Sequence, residues 1–234
     1  MSSRLSDRLQ EIIRLCGEGK TVADVGCDHG FVCIRLVGGN AYERALAMDV
    51  RPGPLAAASQ NIRNAGLSDR IETRLSDGLE KLEQGEADTV LIAGMGGDLI
   101  IRILTAGMDR LPPEIRLVLG PQSHVPEVRA FLMKNGFRIT DETFLRDDGK
   151  YYALMTADRG EDSPYTAEEL AFGRFPLRRQ DQVLYAWLCE RRGKLAAVID
   201  SLKNVSTQQA AERIRVLTTE KTLAEAALRQ IRRE

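Results

Sequence analysis

Short apolar runs alternate along the chain with amphipathic stretches, and most of the runs stop at a glycine or an aspartate. Thr21-Val22-Ala23-Asp24-Val25 stops at Gly26, Arg44-Ala45-Leu46-Ala47-Met48 at Asp49, and 71–75 at Ser76-Asp77-Gly78. Thr89-Val90-Leu91-Ile92-Ala93 stops at Gly94-Met95-Gly96-Gly97, and 116–119 at Gly120. Each run predicts a strand, and the unbroken apolar character of 89–93 predicts a central one covered on both faces. Between the runs the spacing turns helical. Leu5, Leu9, Ile12, Ile13 and Cys16 predict a lead-in helix over 4–16 with Arg8 on its polar side. A second helix follows over 31–37 and breaks at Gly38-Gly39-Asn40, and a third runs from Pro52-Gly53-Pro54 to residue 64, Pro54 suiting its first turn. Two more cover 98–106 and 125–135. Residues 137–144 and 151–155, flanking Arg146-Asp147-Asp148-Gly149-Lys150, read as a closing hairpin. Five strands in a strand–helix alternation and a terminal antiparallel pair predict an α/β, doubly wound sheet.

Beyond a linker over 158–164 the pattern changes. Positions 184, 188, 195, 198 and 202 are apolar, with Arg191 in the remaining seam position; 210, 214, 217, 224, 228 and 231 repeat the spacing, with Lys221 interrupting. Alternating steps of four and three make a heptad seam. Ser206-Thr207-Gln208-Gln209 supplies a capping-box pattern between the two stretches, so they are expected to fold back as an antiparallel helical coiled coil. The expected domains are 1–158 and 159–234.

Composition narrows the class. With 234 residues, 43% hydrophobic and 29% charged, the chain has the make-up of an ordinary globular protein. No apolar run approaches the roughly 20 residues that span a bilayer, and the first residues lack a signal-peptide pattern. Cys16, Cys27, Cys33 and Cys189 form no C-x-x-C pair, so neither a disulfide framework nor a metal site is expected, and a cytoplasmic protein with reduced thiols is. The net charge of -1 conceals an asymmetry: residues 1–158 carry 19 basic and 23 acidic side chains, and residues 159–234 carry 14 and 11. Arg174, Arg178, Arg179, Arg191, Arg192 and Lys194 stand against Asp181 and Glu190 alone. Such a face either engages phosphates or is a solvated helix surface.

The candidate chemistry starts at Asp24-Val25-Gly26-Cys27-Asp28-His29-Gly30. Gly26 and Gly30 allow positive φ and close approach of a ligand, and a helix start follows. The dinucleotide fingerprint G-x-G-x-x-G is not met, and Asp24 in its first position repels a pyrophosphate while suiting a cationic amino group. That disfavours NAD and favours S-adenosylmethionine. Asp49 follows Gly26 by 23 residues, near the roughly 20 at which an acidic residue receives ribose hydroxyls. Asp77 either accepts from an adenine amino group or caps a helix. Asn61 either touches the cofactor or ties loops together. Three glycines at the tip of the central strand leave room for a substrate. Together these features describe a class I, Rossmann-like methyltransferase domain.

Those residues, with Ala93-Gly94-Met95-Gly96-Gly97, Gly120-Pro121-Gln122-Ser123 and Asp147-Asp148-Gly149-Lys150-Tyr151-Tyr152, resemble the bacterial TrmK family over residues 4–157. The resemblance implies S-adenosylmethionine-dependent methylation of N1 of adenine 22 in tRNA. It implies cofactor contacts from Asp24, Gly26, Cys27, Asp28, His29 and Gly30 in the first loop and from Asp49 and Val50 after the second strand. Asp77, Gly78, Ala93, Gly94, Met95 and Gly96 follow at the third and fourth. Asp28 replaces the middle glycine of the generic D-x-G-x-G-x-G pattern, which puts a carboxylate where charge develops on the base. Asp28, His29 and Tyr151 are therefore the catalytic candidates, with packing as the rival role for His29 and Tyr151. The basic face becomes a tRNA-binding arm, with self-association through the heptad seam as its other use. A small-molecule or protein methyltransferase with a helical lid, and a noncatalytic RNA-binding protein, are the alternative functions.

Overall fold

In the computed structural model, which describes residues 5–231, a seven-stranded sheet is assembled in the order β3 (Ile71–Leu75), β2 (Tyr42–Asp49), β1 (Gly19–Val25), β4 (Thr89–Ala93), β5 (Arg116–Gly120), β7 (Lys150–Arg159), β6 (Phe137–Asp147). Arg4, where the first helix was expected to begin, and the other outermost residues of the two expected domains lie outside the described residues. Helix α1 (Asp7–Cys16) is capped by Ser6 and buries Ile12, Leu15 and Cys16. Strand β1 (Gly19–Val25), helix α2 (Phe31–Gly38), strand β2 (Tyr42–Asp49), helix α3 (Pro52–Asn64) and strand β3 (Ile71–Leu75) follow. The chain then returns to the other side of β1 as β4 (Thr89–Ala93), continuing through α4 (Gly97–Ala106), β5 (Arg116–Gly120) and α5 (Val125–Lys134). Strands β1 to β5 pair in parallel, and the reversal of strand order between β1 and β4 opens a crevice at their carboxyl ends. Val90, Leu91 and Ile92 of β4 are fully buried, as its apolar run requires.

The connection from β3 to β4 is a series of turns and not a helix, so Asp77 caps nothing. Ser76 organises it instead, its hydroxyl donating to the Gly78 carbonyl at 3.0 Å and accepting from the Lys81 amide at 3.1 Å. At the far edge β6 (Phe137–Asp147) and β7 (Lys150–Arg159) form the hairpin, with β7 antiparallel to β5. Asp148 and Gly149, both at positive φ, make the two-residue turn that suits strand twist. The sheet thus reaches Arg159, into the stretch expected to be linker.

The chain divides into two compact units. One holds the chain up to Asp141 with Asp147–Asp162; the other holds Glu142–Arg146 and the chain from Ser163 onward. The second contains two short helices absent from the periodicity, α6 (Ala167–Phe172), closed by a Thr166–Glu169 capping box, and α7 (Arg174–Arg178). Two long helices follow, α8 (Gln182–Leu202) and α9 (Gln208–Gln230), capped by Asp181 and by Thr207 in place of the expected Ser206. They fold back on each other, Leu184 and Leu188 of α8 joining Ala224 and Ala227 of α9, Ile231, Phe172 and Leu177 in one cluster. Trp187 packs on that cluster with its ring 5.4 Å from Phe144 and 6.1 Å from Phe172. Farther along the seam Leu195, Leu217 and Ala210 are also buried, whereas Val198, expected inside, is 44% exposed.

Candidate active site

The first loop is shaped by three left-handed residues in five. Gly26, Asp28 and Gly30 have φ of +80, +49 and +70°. Only Asp28 among them bears a side chain, and Asp tolerates this region better than most residues. The loop is fastened from behind: the Gly26 and Cys27 amides donate to the Met48 carbonyl at 2.8 and 3.0 Å, and the Gly30 amide to the Cys27 carbonyl at 2.8 Å. Asn61 donates from α3 to the His29 carbonyl at 3.0 Å, so its loop-tying role is the one observed.

The loop borders a cavity of about 520 Å³ at the carboxyl ends of β1 to β4, within the range of small-molecule sites. Asp24, Gly26, Cys27, Asp28 and His29 line it from the first loop, Asp49 and Val50 from the second strand's end, Asp77 and Gly78 from the third, and Ala93, Gly94 and Met95 from the fourth. Two expected members do not. Gly30 begins α2 with its Cα facing α3, where a Cβ would lie 3.2 Å from the Ala58 Cβ, and Gly96 caps α4 beside Ser123. Both glycines serve close packing. Tyr151 is also outside the lining; because side chains alternate along β7, it is Tyr152 that stands beside a cavity residue, its ring centroid 5.1 Å from the Arg8 guanidinium carbon.

Four carboxylates in one cavity differ in environment. Asp24 is buried, and its partner is the Cys33 thiol at 3.6 Å. Burial pushes its carboxyl up to about 7, Asp49 adding repulsion while the thiol opposes the shift. Asp49, also buried, accepts from the Arg51 amide at 2.8 Å. Asp28 is two-thirds exposed at the rim, its Oδ2 3.7 Å from His29 Nε2, and the His29 ring lies 5.6 Å from that of Phe31. Burial raises the Cys27 and Cys33 thiols above their usual range, which keeps both neutral and unreactive. Among the described residues no group of three His, Cys, Asp or Glu could hold a metal, and no helix is long and apolar enough to cross a membrane.

Residues 5–155 match the methyltransferase-domain family. The tRNA (adenine(22)-N(1))-methyltransferase of Bacillus subtilis is 37% identical over 171 residues, covering 73% of this chain and 72% of that protein. The chain belongs to the TrmK family. A crystal structure of B. subtilis TrmK superimposes with a TM-score of 0.88 at 29% identity, over 96% of this chain and 99% of that one. A Streptococcus pneumoniae protein in complex with S-adenosyl-L-methionine does so with a TM-score of 0.85 at 29% identity, over 96% and 100%.

Within this TrmK fold the cavity has members that sequence reasoning left unassigned. Arg8, Arg51, Arg102 and Gln122 all line it. The signal for Gln122 lay in the Gly120-Pro121-Gln122-Ser123 segment, which matched the family without suggesting a role for the amide. Arg8 looked like one more polar residue on an amphipathic helix.

The basic face is less uniform than its sequence. Arg174 does not belong to it: the residue is 5% exposed, donates to the Ser163 hydroxyl and to the Ser163 and Pro164 carbonyls, pairs with Glu169 at 3.2 Å and lies over the Tyr165 ring. It fastens the chain around α6 and α7. Arg191 bridges α8 to Glu220 of α9 at 2.6 Å. Arg178, Arg179, Arg192 and Lys194 are exposed, with Arg178 3.4 Å from Glu169 and Lys194 3.9 Å from Glu190.

Proposed function

We infer that this protein transfers a methyl group from S-adenosylmethionine to N1 of adenine 22 in tRNA, the reaction named for its B. subtilis relative. The observation that carries the reading is the acid-lined cavity at the switch point of a TrmK fold. The residues fit the cofactor: a buried Asp24 whose carboxyl is raised to about 7 is returned to its charged form by a cation, and S-adenosylmethionine brings an ammonium and a sulfonium. Asp24 would hold the ammonium end, Asp49 the ribose hydroxyls, and Asp77 the adenine amino group. When bound, the cofactor supplies a methyl group on an electrophilic sulfonium.

Adenine N1 has an in-plane lone pair, so the chain's task is alignment more than base catalysis. The base becomes cationic, and Asp28, held at the rim in a left-handed conformation, balances that charge or accepts from the amino group. His29 shapes the loop beside it. Incubation with labelled cofactor and unmodified tRNA, followed by nucleoside mass spectrometry and mapping, is expected to yield 1-methyladenosine at position 22; methylation elsewhere, or none, would overturn the reading. In the same assay at saturating cofactor, Asp28→Asn and Asp28→Ala should lower turnover on the order of 100-fold. Near wild-type rates in both would remove the carboxylate from the chemistry.

The exposed Arg178, Arg179, Arg192 and Lys194 are assigned to tRNA phosphates, making the helical unit a tRNA-binding arm. Replacing Arg192 and Lys194 with Ala should weaken tRNA binding and flatten its dependence on salt by about one logarithmic unit per lost contact. Unchanged affinity would instead favour self-association through the hairpin, where Val198, Val205 and Val216 are exposed, read as a concentration-dependent mass in sedimentation. A tRNA substrate and four free thiols suit the cytoplasm.

A further inference from the structure

We propose that Gln122 selects the target base by reading adenine from its Hoogsteen edge, Oε1 accepting from the N6 amino group and Nε2 donating to N7, which leaves N1 free to react. The proposal rests on the methyltransferase reading and adds the group that recognises the base.

Gln122 follows β5, and its backbone amide donates to the Met95 carbonyl at 2.8 Å, which fixes it next to the tip of β4. The residue lines the cavity, and its side-chain amide makes no hydrogen bond among the described residues. Across from it is Gly94, at φ +85°. A Cβ built on Gly94 would have two neighbours within 4 Å, Gln122 Nε2 and Arg8 Nη1, each at 3.9 Å. The missing side chain therefore leaves a space bounded by one amide and one guanidinium, at the end of the central strand where a doubly wound fold sets its substrate.

The chemistry of the reaction restricts how a base can sit there. Its N1 lone pair must point at the methyl donor, so no protein donor can occupy N1. The remaining edge that distinguishes adenine is the N6 donor beside the N7 acceptor, which a side-chain amide matches with two hydrogen bonds. Guanine presents two acceptors on that edge, O6 and N7, and would set one of them against Oε1. Of the two groups beside Gly94 only the amide can accept, because a guanidinium has donors alone. The Arg8 guanidinium lies with its carbon 5.1 Å from the centroid of the Tyr152 ring. The amino group has two hydrogens, so Gln122 on the N7 side and Asp28 on the N1 side do not compete.

The test compares tRNA carrying adenosine with tRNA carrying 7-deazaadenosine at position 22 alone, read as kcat/KM for 1-methylation. For the wild-type protein the deaza substrate should be about tenfold poorer. In Gln122→Ala that ratio should fall to near one, whatever the variant's overall rate. Gln122→Glu, which keeps the acceptor for N6 but sets a carboxylate against N7, should invert it and prefer the deaza substrate. A wild-type ratio near one, or a tenfold penalty that persists in Gln122→Ala or Gln122→Glu, would overturn the proposal. Failure of the methyltransferase reading would look different, as wild-type protein that makes no 1-methyladenosine from either tRNA.

Discussion

Replacing Asp24 with Asn is expected to stabilise the cofactor-free protein at pH 8 while lowering its affinity for S-adenosylmethionine on the order of 100-fold or more. Both halves follow from a carboxyl buried beside Asp49 with a thiol as its partner, which titrates at about 7 in the folded chain and near 3.9 in the unfolded one. Between those values the folded state holds a proton that the unfolded state has released. The Asp24 contribution to stability is therefore complete below about pH 4, declines by about 1.4 kcal/mol per pH unit up to about 7, and is level above that. Denaturant titrations at pH 5 and pH 8 should show that loss in the wild type and much less of it in Asp24→Asn, the difference between the two proteins isolating this group from other titrations. A cationic ligand reverses the preference. Below pH 7 it must expel the proton, so wild-type affinity should fall about tenfold per unit, whereas the variant's weak affinity should be flat. Undiminished binding by the variant would show that Asp24 does not face the cofactor's cation.

Gly94→Ala should reduce kcat/KM for methyl transfer on the order of 100-fold or more. At φ +85° an alanine costs about 1–2 kcal/mol in backbone strain, and its methyl group enters the space between Arg8 and Gln122 that is proposed for the base. Strain and blockage are separated by a second substitution. Gly136 has a similar φ of +72° and open space around it, away from the cavity lining, so Gly136→Ala bears the strain without the obstruction. Both variants should melt a few degrees below the wild type, and only Gly94→Ala should lose activity. Equal losses of activity would assign the effect to stability.

Much of the cavity lining was legible because its parts are punctuation at strand ends. Gly26, Asp49, Asp77 and Gly94 each sit at or just past the end of an apolar run and Asp24 lies one residue inside one, and a parallel sheet gathers such ends on one edge. Gln122 and Arg8 were less so, since they meet Gly94 only after the strand order is known. Tyr151 and Tyr152 are adjacent in sequence but stand on opposite faces of β7, so a one-residue change of register decides which is near Arg8. Helices α6 and α7, of six and five residues, are too short to show a period and are held by a cap, by Arg174 and by packing on Trp187. Arg174 read as a surface charge because charge patterning cannot distinguish an arginine in water from one stacked on a tyrosine with its donors on carbonyls.

The Arg8 contacts have a consequence for the order in which the enzyme becomes competent on the ribosome. The residues of the acid cradle have all been made once β4 is complete, but Arg8 waits for Asp147 and Tyr152, and its link to Asp147 spans 139 positions of sequence. A nascent chain stopped before the final hairpin is thus expected to possess the acidic groups proposed to hold the methyl donor while the cavity wall that contains Arg8 is not yet fastened, so that methyl transfer is the last capability acquired as the domain is synthesised.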